Sequence, residues 1–258
     1  MHPAKPNILT IAGSDSGGGA GIQADLKTFH ALGAHGLTAI TAVTSQNTRG
    51  VAAIHALPLA HVRSQIDTVF DDFSIAAVKT GMLGSAAVTR HVAAQMRRRK
   101  PAWLVVDPVM VATTGARLLD DDAMETLLTR LIPLADILTP NLPEAEALLG
   151  RALGRDLDAA GADLLALGAR GVLLKGGHGR GAEVVDRYYD ARGMFEVRHP
   201  RLPIEGHGSG CTLASAVTAD LARGKSPHAA VRAAIAWVDK AFRRGWRPGA
   251  SAVHVLGH

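Results

Sequence analysis

Cysteine is nearly absent: Cys211 is the single one among 258 residues. That excludes a disulfide framework and any cysteine-based zinc site, and it fits a reducing compartment. Aromatic residues amount to 4% of the chain, too few to interleave with basic side chains as a nucleic-acid surface requires. No apolar run approaches the roughly 20 residues of a membrane span. The start, Met1-His-Pro-Ala-Lys-Pro-Asn7, has no apolar centre of the signal-peptide kind. These absences point to a cytoplasmic protein with neither a membrane nor a nucleic-acid partner. The formal charge is only +5. Its densest basic run, Arg97–Lys100, falls at the end of a predicted helix, where the dipole favours cations. The 12 histidines show no metal-binding spacing.

What is present is apolar content of 47%, enough for one large α/β domain over residues 1–258 with a core that needs no staples. Strand-like runs alternate with helical stretches. Predicted strands cover 7–12, 37–44, 76–79, 103–106, 137–139 and 172–174. Predicted helices cover 22–32, 61–73, 85–98, 121–131, 142–149, 157–167, 212–222 and 228–244. Residues 51–57 read as a short extended piece, and 183–189 with 194–199 as an edge hairpin around Asp190–Gly193. The alternation predicts a mostly parallel sheet with helices on both faces.

The most informative segment is His207-Gly-Ser-Gly-Cys-Thr212, which runs straight into a helix. Its glycines allow a tight turn that aims free helix amides at one point, an anion site formed by Gly208, Ser209 and Gly210. Cys211 at that helix start is expected to be acidified towards thiolate; the alternative is a buried small residue behind a glycine cap. Gly13–Gly21 follows the first strand, with glycines too dense for a simple turn, and reads as a ligand loop or a purely structural bend. Ala219–Ser226 imitates a phosphate loop, but it ends a helix instead of joining strand to helix, so it is rejected.

Oxygen and cation groups then recur at strand ends. Asp107 closes one strand. Asn141 and Glu144 follow another, where Asn141 also serves as a plausible helix N-cap beside Pro143. Lys175-Gly176-Gly177 closes a third, where a lysine could meet a phosphate as a point charge. Asp107 and Glu144, with Asn141, could hold magnesium directly or through water, since that ion takes few carboxylates beside substrate phosphates.

In order along the chain, Ala12–Phe29, Ser45–Val51, Lys79–Leu83, Asp107–Met110, Thr139–Glu146, Lys175–His178 and His207–Thr212 resemble the hydroxymethylpyrimidine/phosphomethylpyrimidine kinases of thiamine biosynthesis, in the ribokinase superfamily. The resemblance spans about residues 7–245. It implies a ribokinase-like three-layer α/β/α sandwich, usually a homodimer, using ATP and Mg2+. The reaction implied is phosphorylation of 4-amino-5-hydroxymethyl-2-methylpyrimidine and then of its monophosphate. Carried over by motif, the pyrimidine pocket uses Gly13, Asp25, Gln46, Met82 and Val109. Asp107, Asn141, Glu144 and Lys175 serve the nucleotide, with the metal at Asp107 and Glu144. Gly208, Ser209 and Gly210 form the anion hole beside Cys211.

The chain departs from the family pattern in three places. Gly-Ser-Gly-Cys replaces Gly-Thr-Gly-Cys, Glu205-Gly206 replaces Asn-Thr, and Ile235 stands where a lysine near phosphate is expected. Two other readings stay open, a pyridoxal kinase of the same fold and a non-catalytic pyrimidine-binding homologue.

Overall fold

A computed structural model describes residues 5–110, 121–154, 156–179 and 181–258. The strands are β1 (Asn7–Asp15), β2 (His35–Asn47), β3 (Gly50–Ala56), β4 (Ile75–Thr80), β5 (Trp103–Val106), β6 (Ile137–Leu138), β7 (Gly171–Leu174), β8 (Glu183–Asp190) and β9 (Gly193–Pro200). All nine belong to one sheet, in the order β3-β2-β1-β4-β5-β6-β7-β8-β9. From β2 to β7 every pairing is parallel, while β3, β8 and β9 are added antiparallel at the edges. The helices are α1 (Gly21–Ala31), α2 (Leu59–Asp72), α3 (Ala86–Arg99), α4 (Asp121–Thr126), α5 (Leu142–Leu149), α6 (Leu157–Ala166), α7 (Ser209–Ala222) and α8 (Pro227–Arg243).

Alternate residues of each strand serve opposite layers. Leu9, Ile11, Val78, Leu104, Val106 and Leu138 pack with Val62, Val92, Leu127, Leu148 and Leu164 from α2 to α6 and the turn after α4. Val105, Ile137 and Leu173 face the other way, onto Val217 of α7 and Val231, Ala234 and Ile235 of α8. Ile8 and Ala77 meet Phe29 of α1 and Ala219 of α7. Period-2 alternation with both faces apolar is what a parallel sheet covered by helices requires. The result is the expected three-layer sandwich.

The differences from expectation lie at ends and edges. β1 runs to Asp15 because Ser14 and Asp15 still pair with Val43 and Thr44, across a bulge that follows Ala12. The helix expected over 121–131 is α-helical only to Thr126, then widens into a π turn over Leu127–Leu131. The extended piece at 51–57 is strand β3, hairpinned to β2. α7 begins three residues earlier than expected, at Ser209. A two-stranded parallel pair, β10 (Gly206–His207) with β11 (His254–Val255), was not expected, since two-residue strands carry no readable period.

Candidate active site

The carboxyl ends of β1, β4, β5, β6 and β7 lie along one edge of the sheet, and α7 starts beside them. Gly208 caps α7 with a φ of +77°, and no side chain caps the helix. A β-carbon at Gly208 would come within 1.9 Å of the Gly19 carbonyl oxygen, so only glycine fits. The first-turn amides of a 14-residue helix are thereby left free at its positive end. Lys175, at the end of β7, adds a cation: its Nζ stands 3.1 Å from where a Gly210 β-carbon would be. Amide dipoles and an ammonium converge on one point, which is what a transferred phosphoryl group requires.

Behind this point runs a line of buried charges. Lys175 Nζ donates to Asp107 Oδ1 at 2.8 Å and lies 3.7 Å from Glu144 Oε2. Thr139 Oγ1 also donates to Asp107 Oδ1, at 3.0 Å. Burial works against ionisation of Asp107, but Lys175 and then Lys79 overturn it and hold the carboxyl below its usual range. Burial also dominates at Glu144, where Lys175 does not compensate, and its carboxyl is pushed up to about 7. Asn141 N-caps α5 as expected. Its Oδ1 accepts from the Glu144 amide and Glu144 Oε2 accepts from its own, each at 2.8 Å, a reciprocal capping box.

Cys211 is half-buried at the third residue of α7. Its expected acidification is reversed. Burial comes first, and Asp107 and Asp25 add to it; Lys79 and the Gly21 amide pull the other way but lose, so the thiol is pushed up to about 11. A helix N-terminus acidifies a thiol only where the charge also has solvent or net cations around it.

The residues carried over for the pyrimidine separate into two groups. Gly13 and Met82 touch: a β-carbon on Gly13 would lie 2.6 Å from Met82 Cε, so the two form one close-packed wall. Val109 is half-buried just beyond Asp107. Gln46, half-buried on β2, has Nε2 3.0 Å from His207 Nε2 and Oε1 3.2 Å from Thr44 Oγ1. Asp25 lies elsewhere. It is fully buried, and its two oxygens are taken by Lys79 at 3.0 and 3.1 Å, by Thr10 Oγ1 at 2.6 Å and by Ser215 Oγ at 2.6 Å. With both oxygens so engaged, its carboxylate clamps Lys79 beneath the site.

The glycine loop likewise holds an internal anion. Asp15, which sequence reasoning passed over, accepts from the amides of Gly17, Gly19 and Ala20 and lies 3.0 Å from His207 Nε2. Burial opposes its charge, yet His207 and these amides hold its pKa below the usual value. The signal was present as an aspartate two residues before a glycine run, an Asx-turn pattern. Lys79 carried no such signal, since only the fold pairs it with Asp25. A cavity of about 440 Å3 opens beside His207, between the Asn47–Arg49 turn, Glu205 and Ser251–Val253.

Two departures from the family pattern acquire physical reasons. A β-carbon at Gly206 would lie 2.2 Å from Phe242 Cε1, so the ring occupies the space that a threonine would need. Ile235 is 3% exposed and packs in the core under α8. A lysine there would enter apolar surroundings, so the account of Ile235 as a missing phosphate contact is not supported. On the same helix Arg232 and Lys240 are both exposed, and Arg232 stacks on Phe195 of β9 at 3.8 Å. The rejected phosphate-loop mimic ends α7, with Gly224 at a φ of +90° and Ser226 capping α8.

Residues 15–256 match the family model described as phosphomethylpyrimidine kinase. A hydroxymethylpyrimidine/phosphomethylpyrimidine kinase of Streptomyces coelicolor is 49% identical over 247 residues, covering 95% of this chain and 91% of that one. The chain also spans about half the length of the bifunctional thiamine biosynthesis proteins it matches. Among solved structures, the pyridoxal kinase of Staphylococcus aureus in complex with AMP-PCP and pyridoxal has a TM-score of 0.91 at 35% identity, covering 99% of this chain and 94% of that one. A phosphomethylpyrimidine kinase of Clostridium difficile gives 0.83 at 42% identity, covering 92% and 100%. With the family model matched over residues 15–256 and a relative 49% identical over 95% of its length, the chain belongs to the phosphomethylpyrimidine kinase family.

Proposed function

We propose that this protein phosphorylates 4-amino-5-hydroxymethyl-2-methylpyrimidine from ATP and then phosphorylates the monophosphate, for thiamine biosynthesis. The observation that carries the reading is the free amide cluster at the start of α7 with Lys175 against Gly210. In this reading Gln46, Met82, Gly13 and Val109 seat the pyrimidine, and Asp25 acts from below through Lys79. The hydroxymethyl oxygen attacks the γ-phosphorus, the bond to the ADP oxygen breaks, and the hydroxyl proton leaves late, as a loose transition state allows. The amides of residues 209–211 and the Lys175 ammonium bear the charge of the moving phosphoryl group. Cys211, at the third residue of α7, accepts the proton only as thiolate, a form that burial keeps scarce at neutral pH, so transfer through it should speed as pH rises.

Asp107 and Glu144 suit magnesium in a supporting place. Each spends one oxygen on protein partners, and Lys175 sits between them. The remaining oxygens fit an ion held chiefly by nucleotide phosphates and water, with Asn141 at its margin. When bound, the ion neutralises phosphate charge. A homodimer and a cytoplasmic location complete the reading, as does one domain over 1–258. Among the described residues no helix is long and apolar enough to cross a membrane.

A second reading, pyridoxal phosphorylation, is favoured by the 0.91 TM-score to a pyridoxal kinase. ADP release with the pyrimidine, its monophosphate and pyridoxal as competing acceptors decides between them. Highest kcat/KM for the pyrimidine is expected. No ADP release with it, from folded protein, would sink the proposal.

A further inference from the structure

His207 Nε2 faces two groups at once, Asp15 Oδ2 and the Gln46 side-chain amide, each at 3.0 Å. A ring nitrogen offers one proton or one lone pair, never both. Asp15 is 3% exposed, ionised and able only to accept, so the proton between the two belongs to His207 Nε2. The Gln46 group facing that N–H therefore accepts too, which makes it the carbonyl oxygen and not the NH2.

The other end of the same amide gives the same answer. Thr44 Oγ1 has one proton and lies 2.9 Å from the Ser14 carbonyl oxygen, which only accepts. With that proton spent on Ser14, the Gln46 atom 3.2 Å from Thr44 Oγ1 is a donor, the amide nitrogen. Two independent proton counts thus turn the amide the same way, with Oε1 towards His207 and Nε2 towards Thr44.

From this we infer that His207, held by Asp15, is a positioning residue that fixes the polarity of Gln46 and thereby selects an acceptor presenting a ring nitrogen beside an amino group. The inference rests on the proposed pyrimidine reading. After Thr44 and His207 are served, Gln46 keeps one N–H and one lone pair. These match the N3 acceptor and 4-amino donor of an aminopyrimidine. A 4-oxo pyrimidine reverses the pair and meets donor with donor and acceptor with acceptor. Asp15 is itself fixed by the amides of Gly17, Gly19 and Ala20, so the glycine loop acts on acceptor choice through two side chains.

Two measurements test this. Long-range proton–nitrogen correlation on the intact wild-type protein, with the His207 signal assigned by its loss in His207→Gln, is expected to find Nε2 protonated. An unprotonated Nε2 overturns the inference without touching the proposed reaction. In kinetics, the wild-type preference for the 4-amino over the 4-oxo pyrimidine in kcat/KM is expected to fall by about tenfold or more in His207→Ala, since one hydrogen bond then no longer holds the amide. His207→Gln can donate to both Asp15 and Gln46, and should restore the preference. An equal loss on both pyrimidines in His207→Ala, with the ratio intact, reduces His207 to a structural role. Turnover of neither pyrimidine by the wild type overturns the acceptor reading itself.

Discussion

At the residue scale the decisive quantity is charge held without water. Asp25, Lys79, Asp107, Lys175 and Glu144 alternate in sign behind the anion site, and Cys211 shares their surroundings. Because anions and burial outweigh Lys79, the single thiol of the chain should react with iodoacetamide ever faster as pH rises past 9. A plateau below pH 8 would restore the acidified thiolate. Cys211→Ala is expected to lose about 10²–10⁴-fold in turnover, the usual worth of a positioned proton acceptor, with little change in Tm. Glu144 gives a second test. Its folded pKa of about 7 lies above its ordinary value of 4.5, so the folded state holds this proton more tightly. The protonated carboxyl therefore stabilises the fold below pH 4.5, and that contribution is lost as pH rises through 7. Glu144→Gln keeps the capping acceptor and cannot ionise. Thermal melts from pH 5 to 8 should show the wild type losing Tm relative to this variant by a few degrees. Parallel curves would place Glu144 in an ordinary carboxyl environment.

At the element scale, α7 and α8 divide the labour. α7 ends in free amides because Gly208 supplies no capping oxygen, whereas α8 is capped by Ser226 and lies on the outer layer. Ile235 on α8 points into that layer's core. Ile235→Lys is therefore expected to destabilise the protein by several kcal/mol, read as a Tm drop on the order of 10 °C, and to speed neither phosphorylation. Faster transfer to the monophosphate at unchanged Tm would return this position to the phosphate site. The periodic strands and helices were legible because long apolar runs fix them. The Asn141–Glu144 cap was legible because it is local. The π turn at Leu127–Leu131 was hidden by an unbroken helical period, and the β10–β11 pair by its length. Asp25 shows a related limit: a motif can single out a residue, but only the fold reveals that its carboxylate also holds Lys79, Thr10 and Ser215.

At the scale of the whole molecule, one edge of the sheet is finished and the other is not. β8 and β9 close one side under α8, and Arg232 covers Phe195 there. The β2–β3 hairpin leaves Val43 45% and Ile54 43% exposed, on the strand pair that carries Gln46. The register pairs Val43 with His55 and Ile54 with Thr44, so the two lie on opposite faces of this edge hairpin, and its unpaired β3 edge suits a second copy of the chain. Light scattering should give twice the 26.9 kDa mass, and Ile54→Lys should shift it towards monomer; a wild-type monomer at micromolar concentration would remove the dimer from the reading. The glycine turn at the head of α7, by contrast, was legible from Gly208–Gly210 alone, because glycine spacing and a helix start are local facts. The Asp15–His207 pair beside it was not, since the two stand 192 positions apart. The fit between Gly206 and Phe242 finally constrains history as well as structure. The two residues share one volume, so they behave as a single heritable character. A side chain gained at 206 therefore requires the ring at 242 to move or shrink, and a change at either position is felt at the other.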